Sequence, residues 1–301
     1  MKTIKNKDVA KAIRQYAKLS REFGMDNTPL LDLSSFSKNP HVKIFAKDES
    51  RNLTGSLKVR AALFNIAFVL TKKKGKRHFM DASSGNYAKA LCYLAVKLGH
   101  DATLFIPQSA YQEINRYRRE NRLEVEIYAG MLSNSDKARK EARRYAKIHP
   151  RLDYLDQYSN PGSWLCHYHF TAAEIISQLS SLGFKADYYV STFGSGGALI
   201  GIGKALKEKY GSHILGIEST IAHAGRGIRM SDGLNDPEVF NKNRGVLDDL
   251  CKVDVAEIIR FKEEYGLDYG ISACANLYTA IRLSETIPCG NIVTIIPDRC
   301  V

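Results

Sequence analysis

Short apolar, β-branched runs alternate with helical stretches from residue 42 almost to the end of this 301-residue chain, and no other feature narrows its fold as much. The strand-like runs are Val42-Lys43-Ile44-Phe45-Ala46-Lys47, His78-Phe79-Met80-Asp81, Ala102-Thr103-Leu104-Phe105-Ile106, Val125-Glu126-Ile127-Tyr128, Tyr188-Tyr189-Val190-Ser191-Thr192, Ile214-Leu215-Gly216-Ile217-Glu218 and residues 292–296. Helical patterns cover 56–70, 87–98, 116–122, 135–148, 171–182, 198–210 and 275–283. Such alternation belongs to α/β proteins with parallel sheets. Ahead of it, Val9, Ile13, Tyr16 and Ala17 recur at helical spacing among lysines and arginines, and Gly24 ends that first helix. Pro150 and Pro161 flank an irregular stretch between two blocks of alternation. The chain is long enough for about two domains of roughly 150 residues. The expected architecture is therefore two three-layer αβα domains with parallel-rich sheets, 1–157 and 158–301, the first helix and strands crossing to the other domain.

Composition removes several classes. Apolar residues make up 44% and charged residues 25%, which excludes wholesale disorder, a collagen-like fibre and a coiled-coil rod. No run approaches the ~18 uninterrupted apolar residues of a membrane helix. The candidate at 61–70 is broken by Asn65, and the basic N-terminus has no apolar run behind it, so neither a membrane anchor nor a secretory signal is expected. The six cysteines are dispersed without a C-x-x-C pair, as reduced thiols of a cytoplasmic protein would be. Lysine and arginine exceed acidic residues by 44 to 32, a balance of +12 that suits anionic partners. The basic clusters Lys72-Lys73-Lys74-Gly75-Lys76-Arg77 and Arg116, Arg118, Arg119, Arg122 read as solvated helix ends and loop, with no aromatic platform to support a nucleic-acid partner. His167 and His169, beside Cys166, lack a second cluster at ligand spacing, so no metal is expected.

Three strand-to-helix turns are rich in small residues, and ligands of open α/β sheets bind at that end of the strands. They are Asn52-Leu53-Thr54-Gly55-Ser56-Leu57-Lys58-Val59-Arg60, Asp81-Ala82-Ser83-Ser84-Gly85-Asn86-Tyr87 and Thr192-Phe193-Gly194-Ser195-Gly196-Gly197-Ala198. In the third, N–H groups bared by glycine open onto a helix N-terminus, an anion cradle suited to a phosphate. A dinucleotide fingerprint needs glycine where Leu199 stands, although Glu218 ends the next strand near the place of a ribose-binding acid. A Walker A loop also fails, because Ala198 fills its first glycine slot and Ala205 follows Lys204. Tight helix–strand packing is the competing account of these glycines. Lys58 follows Gly-Ser at the start of an otherwise apolar helix, where desolvation and the helix dipole favour a neutral, nucleophilic amine. Ser84-Gly85-Asn86 offers N–H donors and an amide to a carboxylate and a phenolic oxygen. A reactive lysine, a carboxylate cradle and a phosphate cradle together describe a pyridoxal 5'-phosphate site that handles amino acids.

These residues resemble the β-family, or fold type II, of pyridoxal phosphate enzymes, near cysteine synthase and cystathionine β-synthase. The resemblance runs from Asn27-Thr28-Pro29-Leu30 to Ile296-Pro297-Asp298. It implies a tryptophan synthase β-like fold with the cofactor in a cleft between the two domains, and a homodimer. It makes Lys58 the Schiff-base lysine and general base. Asn86 then faces the cofactor's ring oxygen, and Gly194, Ser195, Gly196, Gly197 and Ala198 hold its phosphate. Gly270, in Gly270-Ile271-Ser272-Ala273, lines the cofactor's edge. Ser83, Ser84, Gly85, Tyr87 and Gln157, the last from Gln157-Tyr158-Ser159-Asn160-Pro161, bind the substrate.

Four departures from the family pattern stand out. Val59 replaces the usual aspartate after the lysine, and Ala198 replaces a small hydroxyl residue, a loss of one hydrogen bond or about 1 kcal/mol. Tyr87 replaces a small residue and reshapes the substrate pocket. Arg299 stands where serine or threonine meets the pyridine nitrogen, a Pro-Asp-Arg pattern similar to that of some diaminopropionate-forming relatives. Arginine only donates hydrogen bonds and stays charged, so it would hold that nitrogen unprotonated and weaken the electron sink. The implied activity is β-replacement on an O-activated L-serine. Alternatives are a dehydratase or racemase, a diaminopropionate-type synthase, an inert cofactor-binding homologue, and a basic nucleic-acid-binding protein.

Overall fold

The structure, a computed structural model, describes residues 6–83, 85–128, 135–221, 227–231 and 236–299. In chain order the elements begin with α1 (Asn6–Glu22), β1 (Leu30–Asp32), β2 (Val42–Asp48), α2 (Lys58–Leu70), β3 (His78–Ala82), α3 (Asn86–Lys97) and β4 (Asp101–Phe105). They continue with α4 (Tyr111–Glu120), β5 (Glu126–Tyr128), α5 (Ser135–Ile148), β6 (Asp153–Tyr154), α6 (Gly162–Cys166) and α7 (Ala172–Ser181). The remainder is β7 (Tyr188–Thr192), α8 (Gly197–Tyr210), β8 (His213–Ser219), α9 (Glu238–Asn243), β9 (Asp249–Val253), α10 (Val255–Glu264), α11 (Ile271–Thr286) and β10 (Gly290–Ile296). The chain divides into two compact units, Met1–Met25 with Lys58–Gly162, and Asp26–Leu57 with Ser163–Val301.

The first unit is built on a parallel four-stranded sheet in the order β5-β4-β3-β6. The chain steps outward from β3 through β4 to β5, then returns to the far side of β3 as β6. Strand order thus reverses between β3 and β6. Helix α2 is apolar nearly all round and nearly all of its side chains are buried, as such a helix must be. Tyr16 of α1 packs on Phe64 of α2 with ring centroids 5.5 Å apart.

The second unit carries a six-stranded sheet in the order β1-β2-β10-β7-β8-β9. Only the β1–β2 pair is antiparallel. Consecutive residues of β7 enter opposite cores, Tyr189 with Val293, Leu199 and Ile175 on one face and Val190 with Ile292, Leu277 and Ile258 on the other. Burial on both faces gives three layers and explains why these strands read as continuous apolar runs. The order reverses between β7 and β10. There the buried side chain of Asn276 spans the two strands, accepting the Thr192 N–H at 2.7 Å and donating to the Ile295 carbonyl at 2.8 Å.

The end of β2 and the turn after it are tied down by a buried polar cluster. Lys47, fully buried, donates to Glu174 at 2.7 Å, to Gln178 at 2.9 Å and to the Thr28 carbonyl. Glu49, also fully buried, accepts from the Thr28 hydroxyl at 2.7 Å and from Asn52 at 2.9 Å. Thr54 takes a left-handed φ of 64° in the same turn.

The mixed α/β architecture with parallel-rich sheets agrees with the alternation in the sequence, and several element boundaries differ. The helix expected from 56 begins at Lys58, because Ser56 and Leu57 are extended and pair with Asp298 and Pro297. Helix α11 starts at Ile271 rather than 275, since its small first-turn residues carry little apolar signal. A π-helical turn, His167–Thr171, precedes α7. Strands β1, β6 and β9 and helix α10 have no counterpart in the predicted pattern; β6 is two residues long and β9 is largely unburied.

Removing the Asn276 side chain leaves a buried N–H and a buried carbonyl unpaired. Asn276→Ala is expected to destabilise the second unit by about 2–4 kcal/mol, read as a fall in urea midpoint.

Candidate active site

In open parallel sheets, ligands bind beyond the carboxyl ends of the strands where strand order reverses. Both reversals carry turns singled out in the sequence. In the first unit the 83–86 turn leaves β3, and Gln157 follows the adjacent β6. In the second unit the 194–198 turn leaves β7, and residues 297–299 leave the adjacent β10. The Leu57 N–H donates to the Pro297 carbonyl at 3.0 Å and Ser56 bridges to Asp298, so the peptide leading into Lys58 lies along the end of β10. Lys58 is half-buried and opens α2.

Helices α3, α8 and α11 each have glycine at the N-cap, namely Gly85, Gly196 and Gly270, and none is capped by a side chain. By contrast, Asp254 caps α10 through the Ala256 N–H. An N-terminus without a side-chain cap leaves its first N–H groups to a ligand. Gly196 has a left-handed φ of +87°, and a Cβ there would lie 2.9 Å from Phe240 Cβ. A Cβ on Gly197 or Gly201 would meet the carbonyl oxygens of Ser163 or Trp164 at 2.1 and 2.3 Å. The glycines of this turn thus serve backbone packing as well as an anion cradle. Gly194 and Ser195 complete the turn, and Ala198 brings no hydroxyl to it.

The substrate-side residues gather in the first unit. Gln157, 3% exposed, donates its side-chain amide to the Ala82 carbonyl at 3.1 Å, and its N–H reaches Asp81 Oδ2 at 3.1 Å. Ser83, Asn86 and Gln157 are therefore set on adjoining strand ends. A Cβ on Gly85 would meet nothing within 4 Å, so the turn is open there. Ser84 lies outside the described residues. Tyr87, expected against the substrate, turns inward instead; it is 1% exposed and accepts from Asn65 Nδ2 at 3.1 Å. Its helical position points the ring back between α2 and β3.

Gly270 and Arg299 meet in the second unit, where Tyr269 bridges to Arg299 and the Gly270 N–H donates to the Asp298 carbonyl. A Cβ on Gly270 would sit 2.0 Å from the Asp298 carboxylate. The Arg299 guanidinium donates to Asp268 at 2.7 Å and to Ser50 at 3.0 Å, lies 3.6 Å from the buried Asp48, and stacks over Tyr269. These acids, Asp48 and Asp268, were not anticipated, and no spacing in the sequence marks them as partners of Arg299. Asp81 is a further omission, though a lone acid closing the run His78-Phe79-Met80-Asp81 was a visible signal. Burial, then the nearby charge of Asp156, pushes its carboxyl up to about 8.

The residues fit pyridoxal phosphate: a primary amine opens α2, and the glycine turn that starts α8 carries no side-chain cap. A cavity of about 720 Å³ lined by His78, Arg118, Arg119 and Arg122 lies at the opposite, amino-terminal ends of β3 to β5, away from these turns. Among the described residues no three metal-ligating side chains gather; His167 Nδ1 is 3.0 Å from the Thr171 hydroxyl. Also among them, no helix is long and apolar enough to cross a membrane.

A family model described as pyridoxal-phosphate dependent enzyme matches residues 22–298. The chain is 30% identical to cysteine synthase B of Campylobacter jejuni over 302 aligned positions, covering 95% of this chain and 96% of that one. It superposes on a hydrogen sulfide-producing enzyme of Fusobacterium nucleatum with a TM-score of 0.79 and 26% identity, over 95% of this chain and 89% of the other. An O-acetylserine dependent cystathionine β-synthase of Helicobacter pylori, 22% identical, shares the fold with a TM-score of 0.75 over 91% of this chain and 93% of its own. On these matches the chain belongs to the pyridoxal-phosphate dependent enzyme family and is itself a pyridoxal phosphate enzyme.

Proposed function

We propose that the enzyme performs β-replacement on an O-activated L-serine, as a cysteine synthase does. The observation that carries this reading is the placement of the carboxylate and phosphate cradles: each opens at a strand-order reversal, on a glycine-capped helix without a side-chain cap. A cradle for an amino-acid carboxylate and a cradle for a cofactor phosphate suit a small serine derivative. The homology to cysteine synthase B supports the same reaction class.

In this reading the N–H groups of 194–198 hold the phosphate, assisted by the positive end of α8. Asn86 would donate its amide toward the ring oxygen, and Gly270, packed on the Asp298 carboxylate, would line the ring's edge with main chain. Ser83, Gly85 and Gln157, with Ser84 of the same motif, take the substrate carboxylate and so orient the α-carbon. Pyridoxal phosphate, when bound, supplies an electron sink for that carbon. Lys58 Nζ carries the cofactor at rest and takes the α-proton of the bound amino acid as general base. The Cβ–O bond would then break, the β-oxygen leaving with its activating group, and sulfide, a thiol or an amine would add to Cβ as a proton returns to Cα. Arg299, held by Asp268, Ser50 and Asp48, would meet the ring nitrogen as a donor-only cation, which would disfavour a protonated nitrogen and with it racemisation, a reaction that needs a longer-lived carbanion. The enzyme works in the cytoplasm as a homodimer with a small amino-acid substrate and no nucleic acid.

Purified protein supplied with pyridoxal phosphate is expected to show a visible cofactor band that Lys58→Ala removes; a colourless wild type that takes up none defeats the reading. With O-acetyl-L-serine or O-phospho-L-serine and sulfide, the wild type should form cysteine, and Lys58→Ala should lose roughly 10³-fold or more of that rate. Pyruvate from unmodified serine, without thiol product, would assign the dehydratase instead.

A further inference from the structure

Asp81 has no part in the mechanism above, yet it lies directly beneath the residues assigned to the substrate. Its side chain is fully buried at the end of β3. Oδ1 accepts the Ala82 N–H at 2.7 Å, and Oδ2 accepts the Gln157 N–H at 3.1 Å. The Tyr87 phenol donates to the same carboxyl and accepts from Asn65 at 3.1 Å. One side chain therefore holds the first residue before the 83–86 turn, the first turn of α3 after it, and the backbone of Gln157. The amide of Gln157 closes the ring by returning to the Ala82 carbonyl at 3.1 Å. The next residue back, Asp156, has a left-handed φ of 43° and is gripped by Arg143 at 2.9 Å and Arg139 at 3.7 Å, while Arg139 stacks on Tyr158. A non-glycine residue held in that region signals a segment fixed by its surroundings.

We propose that Asp81 is a positioning residue that holds the end of β3, the start of α3 and Gln157 in register to receive an amino-acid carboxylate. The proposal rests on the functional reading above. A buried acid is a poor choice for mere packing, because an apolar residue would fill the space without desolvation. A carboxyl here does what an apolar residue does not: it accepts from three donors on three segments.

The charge state is set by the surrounding groups. Those facing Asp81 are Tyr87 on α3, Asn65 on α2, Leu104 on β4, Tyr154 on β6, and Asp156 with its partners Arg139 and Arg143 on α5. Arg139 and Arg143 are engaged with Asp156, and burial leads the effects on Asp81, pushing its carboxyl up to about 8. Once ionised, it places a negative charge under a turn meant for a carboxylate, and substrate affinity falls.

The test uses holoenzyme titrated with L-alanine, which has the carboxylate but no β-leaving group, and with L-alaninamide, which lacks the carboxylate. Binding is read from the cofactor's absorbance from about pH 6.5 to 9.5, a window spanning the ionisation. The wild-type preference for alanine over alaninamide should fall about tenfold more than that of Asp81→Asn, which has nothing to ionise there. Asp81→Leu should stay at the wild-type alkaline level throughout. Tyr87→Phe removes a donor that favours the ionised carboxyl, so its fall should move to higher pH.

A second readout needs no cofactor. Folded Asp81 keeps its proton to about 8 while the unfolded chain releases it near 3.8, so the folded state loses stability as pH rises through that interval. The melting temperature of Asp81→Asn should therefore gain on the wild type from about pH 4 to about 8 and level off above. Matching pH profiles for the wild type and Asp81→Asn overturn the proposal. If the Asp81 variants do not fold, an unmoved midpoint in Tyr87→Phe does so. A wild type that takes up no pyridoxal phosphate overturns the functional reading and the proposal together, a result distinct from either.

Discussion

Parallel pairing is the constraint on which the rest of this structure depends. Two parallel strands cannot be joined by a tight hairpin, so each strand must hand the chain to a helix at its carboxyl end before the next begins. Most strand ends then lead to a helix start, and helix starts expose N–H groups. Where the winding changes direction, between β3 and β6 and between β7 and β10, the neighbouring crossovers diverge and leave those groups uncovered. Each opening arises from the winding, and glycine at 85 keeps the first one clear of a side chain.

Each reversal is held by one buried polar side chain in contact with main chain on both strands or on the turns that leave them. In the second unit that side chain is the amide of Asn276 between Thr192 and Ile295. In the first it is Asp81, reaching Gln157 beyond β6. A side chain with two polar ends satisfies backbone groups on two strands at once, and apolar contact does not fix strand ends so directionally. The choice of amide in one unit and acid in the other separates them chemically: one clamp is indifferent to pH, the other is not.

Much of this was legible in the sequence, and the reasons are local. Fully buried parallel strands give unbroken apolar runs, as at 102–106 and 188–192, and glycine turns punctuate them. The three turns stand out because small residues at strand ends are needed for backbone approach. What stayed hidden depends on partners far away in the chain. Arg299 reads as a cation facing a ring, but its contacts with Asp48 and Asp268 arise only after β2 and β10 pair. Tyr87 reads as a pocket residue because it follows Asn86, and its ring turns inward because Asn65 and Asp81 supply polar partners there. Edge strand β9 and two-residue β6 lack the apolar content that makes a strand visible.

The close approach of α8 to the backbone of α6 bears on how this enzyme can diversify. Gly197 and Gly201 face the carbonyl oxygens of Ser163 and Trp164 with no room for even a methyl group, and Gly196 is bound by its own backbone conformation. These three positions are closed to mutation as long as the two helices keep their contact.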